Sequence, residues 1–197
     1  MNNKQKPKNG KETIIKTFLN LYETENFEDI TISLICKKAK VERSTFYYHF
    51  NKVRDILDEI ENQFLESYKQ NAYLSWKTYV DQNKKTSFIG NTSVDFIYEN
   101  KDLLTILIHD NCDYSFVHKW RSAIKAQLKR IFKGEDVTMY ILASSIIAFY
   151  KYCINNNIDK EFVNIYAVMD LINFAVNNDL KFLVDGFTPV KPIKINN

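Results

Sequence analysis

The stretch Glu42–Leu57, ERSTFYYHFNKVRDIL, decides the reading of this chain. Inside it, the segment Arg43–Phe50 crowds hydroxyls, aromatic rings and cations together. A helix so composed can pack one side into a core and press the other against a nucleic-acid groove. Just upstream, an apolar-patterned segment begins after Thr31 and ends at a tight turn, Ala39-Lys40-Val41. Thr31 suits the N-cap of that segment, and Ile30 and Ile35 stand around it at the spacing of a hydrophobic staple. Val41 and Phe46 repeat the offset around Glu42, the cap of the next helix. Glu42 is a weaker capping residue than Ser or Thr, although its charge suits the positive helix end. Two staples at consecutive helix starts fix two helix directions, as a rigid helix-turn-helix requires.

Working outward, Ile14, Ile15, Phe18, Leu19 and Tyr22 recur at helical spacing and predict a first helix, with a break over Glu23–Asp29. From Asp55 the stripe Ile56, Leu57, Ile60, Phe64, Leu65, Tyr68 predicts a helix running to about Trp76. It would be roughly 30 Å long and act as a strut. One or two helices are expected over Phe88–Ile108, one over Phe116–Phe132 stopped by Gly134, and a long one from Val137 to Ile154. A last helix is expected from Phe162 to Val176, before an irregular tail rich in turn residues. No repeat and no strand pair with turn chemistry is present in the sequence. The fold class is all-α: an amino-terminal three-helix helix-turn-helix domain plus a larger helical domain. The expected division is a mobile basic arm over 1–10, a helix-turn-helix domain over 11–57 with the motif itself at 31–50, and a larger helical domain over 58–197.

Composition agrees. Of 197 residues, 45% are apolar, with 14 Phe and 12 Tyr, enough to fill a sizeable core. Only 4 Gly and 3 Pro favour helices over turn-rich folds. The net charge of +3 is unevenly placed: Met1–Leu57 holds 11 Lys/Arg against 7 Asp/Glu, and the remainder 16 against 17. The basic excess lies with the suspected nucleic-acid contact, where phosphate attraction needs it. Cys36, Cys112 and Cys153 lack disulfide or metal spacing and read as buried thiols in a reducing cytoplasm. Met1–Lys11 is too polar for a signal peptide, and the apolar run Tyr140–Tyr150 is too short to span a bilayer, so no membrane partner is expected. Nucleophile elbows, phosphate-cradling glycine loops, paired-histidine metal motifs and dinucleotide fingerprints are all missing, which argues against an enzyme and implies no cofactor.

The stretch Lys11–Leu57 resembles the DNA-binding domain of TetR/AcrR transcriptional regulators. The matching residues are Thr31-Ile32, Ala39 and Val41, Thr45-Phe46-Tyr47, His49-Phe50 and Ile56-Leu57. The remainder resembles the family only in its layout of long helices. The resemblance implies a homodimer on double-stranded operator DNA, released by a small ligand in the carboxy-terminal domain. It also implies roles by position. Arg43 and Ser44 stand at the end of the recognition helix that enters the major groove, Arg43 reading guanine or gripping phosphate. Thr45, Tyr47 and His49 match phosphate-contacting positions, Tyr48 can lie against a thymine methyl group, and Thr31 and Ser33 can anchor the start of the preceding helix to the backbone. Phe46 and Phe50 belong to the core. Two departures stand out: Lys40 occupies a turn position usually held by Gly, and Val53 replaces a phosphate-contacting Lys. Either Lys52 or Arg54 is then left to supply that contact.

Further along, Ile141, Ser144, Ala148, Ile165, Met169 and Ile172 are the expected dimer surface, small residues allowing close approach and larger ones supplying apolar area. Trp76, Phe96, His109, Cys112, Phe116 and Trp120 combine aromatic walls with polar tips, as the pocket for an unknown small-molecule effector would. A zinc site on His109, Cys112 and His118 fits no known spacing, so no metal is expected. The leading expectation is a ligand-released homodimeric repressor. The alternative is an activator or co-activator whose carboxy-terminal domain binds a partner protein rather than a metabolite.

Overall fold

A computed structural model describes residues 8–81, 86–108, 115–131 and 133–163. Among them are eight α-helices and no strand: α1 (Lys8–Tyr22), α2 (Ile32–Ala39), α3 (Arg43–His49), α4 (Val53–Asp81), α5 (Thr86–Glu99), α6 (Lys101–Leu107), α7 (Ser115–Ile131) and α8 (Asp136–Asn155). Short 3-10 turns sit at Phe27–Asp29 and Lys160–Phe162. The chain divides into two compact units. Unit 1 is Met1–Gln70 with Glu99–Val117, and unit 2 is Asn71–Tyr98 with His118–Asn197.

In unit 1 the stripe on α1 is anchored by Ile14 and Phe18, both fully buried. Phe27, from the 3-10 turn, closes an aromatic triangle with Phe18 (centroids 6.3 Å apart) and Tyr22 (6.0 Å), while Phe18 and Tyr22 stack at 5.4 Å. The segment read as a simple break is therefore a packed corner. Helix α1 starts at Lys8, so the last residues of the expected mobile arm are helical and Gly10 is already buried. Lys11 turns inward, pairing with Glu59 and standing 5.6 Å over the Phe50 ring.

Thr31 caps α2 as expected: its Oγ1 accepts from the Leu34 N–H at 3.2 Å. The helix ends on Lys40 in the left-handed region (φ 53, ψ 43), and Val41 N–H reaches back to the Cys36 carbonyl at 3.1 Å. This is Schellman-type closure carried by a residue with a side chain, where glycine is unstrained. The next corner is closed by Asp55, whose Oδ2 accepts from the backbone N–H groups of Asn51 and Lys52 at 2.9 and 3.1 Å. That reach-back starts α4 at Val53, two residues before the sequence stripe suggested. At 29 residues, α4 is about 43 Å long, longer than expected. Its buried face, Ile56, Leu57, Ile60, Phe64 and Leu65, joins Leu104 and Leu107 of α6 and Phe116 of α7 in the core, with Phe64 and Phe116 edge-on at 5.4 Å.

In unit 2, α7 and α8 form a hairpin. Lys125 and Lys129 both pair with Asp136 in the first turn of α8. These bonds, Lys129 first, hold the Asp136 carboxyl below its ordinary range. Arg121 donates to the Tyr140 hydroxyl at 3.0 Å and lies 5.0 Å over its ring. Gly134 lies in the connection, where a Cβ would come within 2.8 Å of the Met139 methyl group. Helix α8 is longer than the apolar run it contains, and is long and apolar enough to cross a bilayer by length and composition alone. Its buried residues Met139, Leu142, Ala143, Ile147, Tyr150 and Ile154 recur every three or four positions, the pattern of a core helix. At its far end, Asn157 (φ 50) repeats the left-handed closure, with Ile158 N–H to the Cys153 carbonyl at 3.0 Å. Tyr98 of α5 then donates to the Ile158 carbonyl at 2.6 Å, and Lys160 pairs with Asp95 at 2.6 Å. Phe162, the expected first residue of a final helix, sits in a 3-10 turn and is exposed; the rest of that expected helix lies outside the described residues.

The left-handed Lys40 generates a prediction. Lys40→Gly relieves the Cβ strain but enlarges the freedom of the unfolded chain. The balance is a gain of about 0.5–1 kcal/mol, to be read as a raised midpoint in denaturant unfolding.

Candidate nucleic-acid interface

The α2–turn–α3 unit separates its residues cleanly into two sets. Phe46 is fully buried and Phe50 nearly so, and their rings meet at 6.0 Å. Between them in sequence, Tyr47 is 55% exposed and Tyr48 79% exposed. Two large aromatics in water on a helix whose neighbours are core residues do not serve folding, since burial is where such rings contribute most. Arg43 and Ser44 are exposed at the start of α3, and Thr45 is half-buried. Thr31 and Ser33 are exposed at the start of α2, and Lys52 is exposed just before α4. Lys37, Lys38 and Lys40 add exposed positive charge at the end of α2.

Several details were not visible in the sequence. The Arg43 guanidinium donates to Ser33 Oγ, joining the starts of the two helices. Burial pushes the Cys36 thiol on α2 upward; the Arg43 charge pulls it the other way and Glu42 adds to the rise. Glu42 starts α3 from extended backbone without a side-chain capping bond. His49 is half-buried beside Tyr48 (centroids 4.8 Å), and its Nε2 is shielded, with no hydrogen-bond partner among the described residues. A phosphate bond from His49 would use Nδ1 or follow a turn of the ring. Of the two cations flanking Val53, Arg54 is committed inward, to Asp58 at 3.1 Å and Ser115 at 2.8 Å. The Arg54–Asp58 pair was legible as an i,i+4 spacing; the bond to Ser115, 61 residues away, was not.

The other expected sites are placed as follows. Phe96 and Trp120 are buried in unit 2, and Phe116 is buried in unit 1 against Phe64. His109 and Cys112 lie outside the described residues, as does the side chain of Trp76. His118 is exposed and lies 3.3 Å from Arg121 through Nδ1. On α8, Ile141 and Ser144 are half-buried and Ala148 is exposed, on the side of the helix that also shows Tyr140 and Tyr152. Ser144 satisfies its hydroxyl on the Tyr140 carbonyl at 2.8 Å. Ile165, Met169 and Ile172 lie outside the described residues.

This geometry can be set beside known proteins. A structure described as a TetR transcriptional regulator from Streptococcus agalactiae superposes with a TM-score of 0.59 at 21% identity, over 86% of this chain and 94% of that one. The chain has the TetR-regulator fold. A second TetR-like structure, the dihydroxyacetone kinase operon activator DhaS, superposes with a TM-score of 0.55 at 18% identity, over 86% of this chain and 97% of its own. In sequence, the chain is 28% identical over 129 residues to the HTH-type dhaKLM operon transcriptional activator DhaS of Lactococcus lactis. That match spans 64% of this chain and 63% of the relative. No protein-family model matches the chain.

The two residue sets on α3 respond differently to truncation. Phe46→Ala empties a fully buried ring position and costs about 3–5 kcal/mol. Tyr48→Ala stays within about 0.5 kcal/mol of the parent. Chemical denaturation of the two variants side by side checks this.

Proposed function

We propose that the chain is a DNA-binding transcriptional regulator acting as a homodimer, with α3 in the major groove. The observation that carries the reading is the outward display of Tyr47 and Tyr48 from a helix locked by Phe46 and Phe50. In this reading Tyr47 donates its hydroxyl to a phosphate and Tyr48 lies against a thymine methyl group. Arg43 and Ser44 work at the groove edge, Thr31, Ser33, Thr45 and His49 contact the backbone, and Lys52 supplies the cation that Val53 lacks. The domain over 58–197 is regulatory. Its proposed dimer residues are Ile141, Ser144 and Ala148 on the outward side of α8, together with Ile165, Met169 and Ile172 of the later sequence. Two such protomers present their α3 helices to half-sites about 34–36 Å apart.

For the sense of regulation, the leading reading is a repressor released when a small, mostly apolar effector binds the domain over 58–197. Release requires the effector to prefer the non-binding state by differential affinity. An activator is the second reading, favoured by the name of the L. lactis relative, which is a transcriptional activator. In that case the regulatory domain engages a partner protein, and DNA binding places it at a promoter.

Fluorescence anisotropy on DNA flanking the protein's own gene, across a salt series, tests DNA binding. Specific binding in the nanomolar range that weakens steeply with salt is expected. Equal weak binding to every duplex counts against it. Tyr47→Phe removes one hydroxyl and should weaken specific binding about threefold to tenfold without lowering stability; unchanged affinity removes Tyr47 from the phosphate contacts. For the dimer, Ala148→Glu places a charge on the exposed face of α8. Sedimentation velocity should then show monomer where the parent shows dimer. In vitro transcription from a bound promoter separates the two senses: fewer transcripts mark a repressor, more an activator.

A further inference from the structure

Arg54 is the point at which three distant stretches of unit 1 meet. Its Nε donates to Asp58 Oδ1 at 3.1 Å, one turn along α4. Its Nη2 donates to Ser115 Oγ at 2.8 Å, in the first turn of α7. The same nitrogen lies 3.9 Å from Oε1 of Glu61, a carboxylate whose side chain is only 1% exposed. The guanidinium carbon stands 6.0 Å from the centroid of Phe27, in the aromatic corner between α1 and α2.

Each contact constrains what Arg54 can do. Burying a carboxylate is costly unless it is paired, so swinging Arg54 out to a phosphate would take its positive charge away from Glu61. The planar fork uses separate donors for Asp58 and Ser115 at once, which the single nitrogen of lysine cannot reproduce. Only three residues separate Phe50, the end of the α3 segment, from Arg54, and Asp55 clamps that corner through Asn51 and Lys52. A displacement of the first turn of α7 by about 1 Å takes the Ser115 bond beyond hydrogen-bond range. The start of α7 is thereby tied to the corner that aims α3.

We propose that Arg54 is a positioning residue for DNA recognition: through Ser115 it makes the geometry of the helix-turn-helix depend on where α7 begins. The inference rests on the DNA-binding reading above. It assigns Arg54 no contact with DNA, and it makes the first turn of α7 a working part of the recognition unit although it lies far from α3 in sequence.

The test uses the full-length protein, a duplex that the parent binds specifically and an unrelated duplex, with anisotropy measured across a salt series. Ser115→Ala and Arg54→Lys keep the positive charge beside Glu61. Each should weaken binding to the specific duplex about threefold to tenfold, leave binding to the unrelated duplex unchanged, and show no further loss when combined. A simple fall in the folded fraction would weaken both duplexes equally, and that result overturns the proposal. So does unchanged specific affinity in Ser115→Ala. Arg54→Gln removes the charge. If it weakens both duplexes alike and reduces the salt slope by about one, Arg54 is a phosphate ligand and the positioning role is wrong. A parent protein that prefers no duplex at all overturns the DNA reading itself, before any variant is compared.

Discussion

The short helix α3 exists because Phe46 and Phe50 are buried. Seven residues are too few for a helix to persist in water by propensity alone, since nucleation is costly and little propagation follows to offset it. Helix α3 therefore owes its shape to packing, and the pieces around it supply that packing. Phe46 and Phe50 meet each other, and Lys11 of α1 covers the Phe50 ring. Left-handed Lys40 sets the approach on one side, and Asp55 sets the departure on the other. The outward aromatics are held in place chiefly by the buried rings of Phe46 and Phe50.

Local rules made much of this unit readable in advance. Thr31 as a cap follows from spacing and residue type, whereas the inward Phe46 and Phe50 and the outward Tyr47 and Tyr48 were implied by the family resemblance, which marked Lys40 as a position usually held by Gly without fixing its left-handed φ. What escaped depended on partners distant in sequence. The Ser33–Arg43 bond crosses between helices, and Ser115 finds Arg54 across 61 residues. Arg54 looked like a surface cation because nothing nearby in sequence announces that Glu61 is buried. Phe27 was read as part of a break because a 3-10 turn has no periodicity to detect, yet its ring completes a core cluster. Helix ends moved for a similar reason. Asp55 captures two backbone donors ahead of the apolar stripe, so α4 begins before its hydrophobic face does.

Unit 2 shows the opposite balance. Its helix α8 is apolar nearly all round, so composition marks a helix without marking its inner face, and that face appears only in the burial of Met139 through Ile154. The polar ties there sit at the ends: Asp136 between two lysines at the start, Tyr98 and Lys160 beyond the finish.

The alternation of buried and exposed residues on α3 also bears on how such a protein changes over time. The outward positions carry little of the folding free energy, and the inward positions carry little of the chemistry shown to solvent. Mutational drift at Arg43, Ser44, Tyr47 and Tyr48 is therefore filtered by what the surface contacts, scarcely by whether the chain folds. A gene duplicate can explore new outward residues while its core stays intact. That separation makes the scaffold evolvable, and it makes these four positions the natural library for redirecting the surface by selection.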